Sequence, residues 1–100
     1  MRIHFERTGG FAGMRLSTVV DTNQIPAEEA HALTEQLSAA GFFDLPELLN
    51  STGHAADQFC YRITVEEGSR RHTVETSELA APEPLRVLLR RLTSLARPRR

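Results

Sequence analysis

The chain opens on a strict alternation. In MRIHFER, Met1, Ile3 and Phe5 fall on one side and Arg2, His4 and Glu6 on the other. That is the two-residue period of a half-buried strand. MRLSTVVD repeats it, setting Met14, Leu16 and Val20 against Arg15, Ser17 and Asp21. The glycine-bearing segment between the two runs predicts a hairpin with a loop longer than a tight turn, so the strand pattern sets the register. The period then changes. In IPAEEAHALTEQLSAAG, Ala30, Leu33, Leu37 and Ala40 recur at helical spacing, which predicts an amphipathic helix. Pro26 suits its first turn, where a missing N–H has no helical partner to lose. Glu28 and Glu29 place negative charge near the positive end of the helix dipole. Gly41 supplies a left-handed residue to end the helix. FFDLPELL predicts Phe42 or Phe43 and Leu45 packing beneath the sheet, with a short helical turn after Pro46.

NSTGHAADQ reads as a polar loop. FCYRITVEE is the clearest strand: Phe59, Tyr61, Ile63 and Val65 share one face, and Cys60, Arg62, Thr64 and Glu66 the other. EEGSR makes a turn, and RHTVETS returns with His72 and Val74 opposed to Arg71, Thr73 and Glu75. The closing helix carries Leu85, Leu88, Leu89, Leu92 and Leu95, with Arg86, Arg90 and Arg91 largely off that stripe, and Pro98 stops it. The predicted order is therefore ββαββα. Four half-polar strands predict an antiparallel sheet with one wet face. Both helices should cover the apolar face, giving a two-layer α+β sandwich. The halves show no sequence repeat. One hundred residues suit one domain, expected over 1–97, with 98–100 a flexible tail.

Composition narrows the function classes. The formal net charge is −1, so no strong global field selects a partner. All 12 basic residues are arginine. Cys60 is the sole cysteine, which excludes an intramolecular disulfide and fits a reducing compartment. The N-terminus shows no apolar core of a signal peptide. No apolar run approaches the ~20 residues that cross a bilayer. A cytoplasmic protein without a membrane partner is the expectation.

Each candidate for chemistry has a simpler explanation beside it. Histidines occur at His4, His31, His54 and His72, and none forms a His-Glu-x-x-His pattern or joins a paired-cysteine zinc site. His31 precedes Glu35 by one helical turn, which a solvated helix face explains. Cys60 sits in a strand pattern with no base beside it and reads as an inert thiol. Glu66 and Glu67 abut the turn residue Gly68 and read as solvated. TGGFAG lacks both the spacing of a dinucleotide-binding loop and the lysine of a phosphate loop. The tail RRLTSLARPRR is basic, but Leu92 and Leu95 continue the apolar stripe and no aromatics interleave with its arginines, so no nucleic-acid partner is expected. Glu6, Arg15, Arg62, Glu66, Arg71 and Glu75 mix both signs on the wet face, as cross-strand pairing would. No catalytic residue, metal or cofactor is indicated.

One stretch stays unexplained. RTGGFAGM sets Phe11 among three glycines. Gly9, Gly10 and Gly13 can supply positive φ angles for an irregular turn, with Phe11 folded back to plug the core. The other reading makes Phe11 an exposed anchor for a partner, since buried aromatics dominate many interfaces. Gly9, Gly10, Phe11, Ala12 and Gly13 are then the candidate binding loop, and Arg7, Thr8 and Met14 its rim.

MRIHFERTGGFAGMRLSTVVDT resembles the start of the emfourin family, the protealysin-associated protein inhibitors. IPAEEAHALTEQLSAAGFFDLPE resembles that family's helix and the Phe-Phe-x-Leu-Pro segment after it. DQFCYRITVEEGSRRHTVETSE resembles its second hairpin, and PEPLRVLLRRL its closing helix. The most specific piece is Ser/Thr-Gly-Gly-Phe-Ala-Gly, here Thr8 to Gly13, and the order of the pieces spans nearly the whole chain. The resemblance implies a small cytosolic inhibitor that binds a thermolysin-like, protealysin-type zinc metalloprotease. The target would carry its own zinc on a His-Glu-x-x-His helix. The alternative is a non-enzymatic structural or regulatory interaction module, with dimerisation through its open sheet as one form of it.

Overall fold

A computed structural model describes residues 1–9, 15–49, 59–78 and 80–96. Strands β1 (Arg2–Gly9) and β2 (Leu16–Asp21) lead into helix α1 (Ala27–Ala40). A 3-10 turn over Phe42–Asp44 and a short strand β3 (Leu48–Leu49) follow. Strands β4 (Phe59–Glu67) and β5 (Arg70–Ser77) and helix α2 (Glu83–Ala96) complete the order.

The sheet runs β2-β1-β4-β5-β3. The two hairpins pair antiparallel as expected, and β1 joins them by pairing with β4 from Arg2 opposite Glu66 to Gly9 opposite Phe59. The expected four-stranded antiparallel sheet is corrected in one respect. Leu48 and Leu49 add a fifth strand, parallel to β5 beside Glu75 and Thr76, so the sheet is mixed. Two residues are too short a run for periodicity to reveal a strand.

Side chains obey the alternation. Ile3, Phe5, Val20, Tyr61, Ile63, Val65 and Val74 line one face and are buried with Leu33 and Leu37 of α1 and Leu85, Leu88, Leu89 and Leu92 of α2. This is the two-layer α+β arrangement, with one core between sheet and helices. Arg91 Nε donates to Gln36 Oε1 at 3.1 Å and ties the helices together at the rim.

The other face carries charge in cross-strand pairs, as the sequence pattern required. His4 Nε2 lies 2.8 Å from Glu66, Arg62 2.6 Å from Glu75 and Arg15 3.6 Å from Glu6. The Thr64 and Thr73 hydroxyls meet at 2.8 Å between these pairs. The His4 hydrogen bond, with Arg71 and Arg2 nearby, holds the Glu66 carboxyl below the ordinary carboxylate value.

The α1 ends differ slightly from expectation. Gly41 does adopt the left-handed conformation, at φ 59°. Pro26 stands just before the first turn, its carbonyl accepting the Ala30 N–H at 3.0 Å. The short helical turn precedes Pro46 instead of following it, because Gly41 reverses the chain and its carbonyl accepts the Asp44 N–H at 2.9 Å. Leu45 is extended, the conformation favoured before proline. Of the two phenylalanines here Phe42 is the buried one, edge-on to Phe43 and to His72 at 5.8 and 5.6 Å between ring centres. His72 Nε2 lies 2.7 Å from the Leu45 carbonyl, tethering this crossing to β5.

Candidate functional site

Antiparallel pairing collects several chain ends at one end of the sheet. β1 finishes there at Gly9, opposite the first residue of β4, Phe59. β2 starts there at Leu16, and β5 ends there at Ser77 opposite Cys60. Gly9 has φ 89°, a backbone region that side chains other than hydrogen disfavour. The expected positive φ at Gly9 is therefore present. Gly10, Phe11, Ala12, Gly13 and Met14 lie outside the described residues.

The two remaining rim candidates fall on opposite faces, because they are neighbours on a strand. Thr8 lines a hollow on the polar face with Glu6, Cys60, Arg62 and Ser77. Arg7 continues the parity of Ile3 and Phe5 and so lies on the helix-covered face. Its guanidinium carbon sits 4.2 Å from the centre of the Phe59 ring, a cation–π distance. Phe59 and Tyr61 rings lie 6.5 Å apart and Tyr61 and Phe5 6.0 Å, so an aromatic column runs from the core to the Gly9 end.

An open cleft of about 370 Å³ lies over the end of this column. Arg7, Phe59, Tyr61 and Glu78 form one wall, and Arg86, Leu89, Arg90, Thr93 and Ser94 of α2 the other. Burial pushes the Tyr61 hydroxyl above its ordinary value, Glu78 adds to the shift, and Arg7 works against it. Arg90 lies 3.4 Å from Glu83 in an exposed ion pair on α2. Aromatic faces beside fixed guanidinium groups are suited to holding a carboxylate or a ring. The strand pattern assigns Phe59 and Tyr61 to the core face but does not by itself join them to Arg7. The parity of MRIHFER held that signal, since Arg7 stands two residues past Phe5.

The other candidates for chemistry resolve into surface contacts. His31 Nε2 is 3.0 Å from Glu35 in an exposed pair one helical turn apart. Glu67 pairs with Arg70 across the β4–β5 turn. Cys60 is an exposed thiol on the polar face. Among the described residues, no three His, Cys, Asp or Glu side chains gather as metal ligands. Among them, too, no helix is long and apolar enough to cross a membrane. His54 lies outside the described residues.

Fold and site together define a two-layer α+β domain with an arginine- and aromatic-lined cleft beside a glycine-terminated strand. The family model named Emfourin matches residues 5–93. That span runs from the first core phenylalanine of β1 nearly to the end of α2, and the chain belongs to the emfourin family. Comparison with curated proteins and with solved structures found no match.

Proposed function

We propose that this chain is a proteinaceous inhibitor that binds and blocks the active-site cleft of a thermolysin-like zinc metalloprotease. The observation that carries the reading is the match to the emfourin family over residues 5–93. The family is an inhibitor family, and membership supports an inhibitor over an enzyme. The protease is the partner class it implies.

The contact we assign is the segment from Gly9 to Gly13, with Arg7, Thr8 and Met14 at its rim. Two features support that choice. The segment leaves from β1, which is paired with β2 from Arg2 to Arg7 and with β4 from Arg2 to Gly9, so its base is held in the sheet by β4. It also contains a large apolar side chain flanked by small residues, which lets the backbone approach a cleft closely. Thermolysin-like clefts take extended peptides and favour a bulky apolar side chain beside the scissile bond. Phe11 would fill that pocket, and Gly9 and Gly10 would offer backbone hydrogen-bonding groups. A base fixed by the sheet lowers the ordering cost of binding. The inhibitor needs no metal or cofactor of its own, because the zinc belongs to the enzyme.

The test is a titration of a thermolysin-like protease with the purified chain while peptide hydrolysis is followed. Loss of activity in proportion to added chain supports the reading. Full activity at micromolar chain, repeated across several thermolysin-like enzymes, contradicts it.

A further inference from the structure

The sheet has two outer strands, and they are unequal. β3 is 2 residues long and β2 is 6. β2 carries no proline or lysine, and LSTVV within it is uncharged. Proline, lysine and inward charge are the usual devices that keep an edge from pairing. Val19 is 57% exposed on the otherwise polar face of this strand.

The backbone of β2 has a definite polarity. The Thr22 N–H donates to the Met1 carbonyl at 2.9 Å, in register with the β1–β2 ladder. Antiparallel ladders alternate. Leu16, Thr18 and Val20 therefore turn their N–H and C=O toward β1, and Ser17 and Val19 turn theirs outward.

We propose that a second copy of this chain pairs antiparallel with this edge, about a two-fold axis through Thr18. The inference is independent of the inhibitory reading. In this register Ser17 faces Val19 of the other copy, so the outward backbone groups of both strands bond each other. Leu16 faces Val20 on the core side. Arg15 faces Asp21 at both ends of the pairing, which joins opposite charges twice. Slipping by two residues either way sets Arg15 against Val19 or Asn23 and loses both charge pairs. Slipping by one opposes outward backbone groups to inward ones. The partner this edge fits is thus the same edge of the same protein, in the self-complementary manner of a two-fold interface. The joined sheet keeps both helix layers on one side and points the two Gly9 ends in opposite directions.

Sedimentation of the full chain over a range of concentrations tests the proposal. The wild type is expected to dimerise. Arg15→Asp and Asp21→Arg are each expected to weaken dimerisation at least about tenfold, because each sets like charges opposite one another. An equimolar mixture of these two variants restores both charge pairs and is expected to recover the dimer as a heterodimer. Ser17→Pro removes an outward N–H without touching the β1 ladder and is expected to be monomeric, with folding checked by circular dichroism. A wild type that stays monomeric to millimolar concentration overturns the proposal. So do charge variants that dimerise as the wild type does, or a mixture that stays monomeric.

Discussion

The two hairpins of this domain share one core and end very differently. β4 and β5 are joined by a short turn at Gly68 and Ser69, with Gly68 at φ 60°. The hairpin is locked from outside as well: Glu67 pairs with Arg70, β3 covers part of the β5 edge, and His72 is tethered to Leu45. β1 instead ends at Gly9 in a left-handed conformation, just before the glycine-flanked phenylalanine in sequence, and β2 forms an outer edge. The comparison separates two uses of one architecture. In the proposed function the β4–β5 hairpin is the interior support, and the β1–β2 hairpin carries the surfaces offered to partners.

Core truncation should have the largest effect. Ile63 is fully buried on β4 between β1 and β5. Ile63→Ala should lower unfolding stability by about 2–5 kcal/mol, read from urea denaturation. Inhibition should fall only as far as the folded fraction does. A disproportionate loss of inhibition would place the contact surface on β4–β5 and undo the comparison. Next comes Phe11→Ala. Losing the burial of one such ring removes about 1.5–3 kcal/mol, so inhibition should weaken roughly 10- to 100-fold. Denaturation should change little. If stability falls instead and the residual folded protein inhibits normally, Phe11 is a core plug.

Much of this framework was legible before any coordinates, for a physical reason. Periods of two and of 3.6 are imposed by burial on one face, so Ile3, Phe5, Ile63, Val65, Leu33, Leu37 and the α2 leucines announced themselves. What the pattern could not convey was contact between distant segments. β3 escaped because two leucines have no period, and its pairing with Glu75 depends on where the chain lands after Gly41. The cleft escaped because its walls come from β1, β4 and α2, which lie far apart in sequence, although the parity of Arg7 was readable. The loop itself stood out by composition, yet composition alone does not place Phe11 relative to a partner.

Smaller effects sharpen the contrast. Gly68→Ala meets no atom within 4 Å of the added Cβ, so its cost is conformational. Left-handed backbone costs a non-glycine residue about 1–2 kcal/mol, and that much stability should be lost with inhibition per folded molecule unchanged. The smallest effect concerns acid. Glu66 is held below the ordinary carboxylate value, first by the His4 hydrogen bond. A carboxyl whose folded value is depressed stabilises the fold above its unfolded value, near 4.5, and loses that contribution as pH falls through the folded value. Carboxyl titration by NMR should find Glu66 low in the wild type and closer to 4.5 in His4→Ala. An unshifted Glu66 in the wild type would dissolve that cross-strand pair.

The most direct test of the account is an NMR titration of the isotopically labelled chain with an intact thermolysin-like protease. Amide signals from Arg7 to Met14 should shift or broaden in proportion to loss of protease activity, while those at Gly68 and Ser69 hold their positions. Inhibition accompanied by changes at the β4–β5 turn, with Arg7 to Met14 undisturbed, would contradict it.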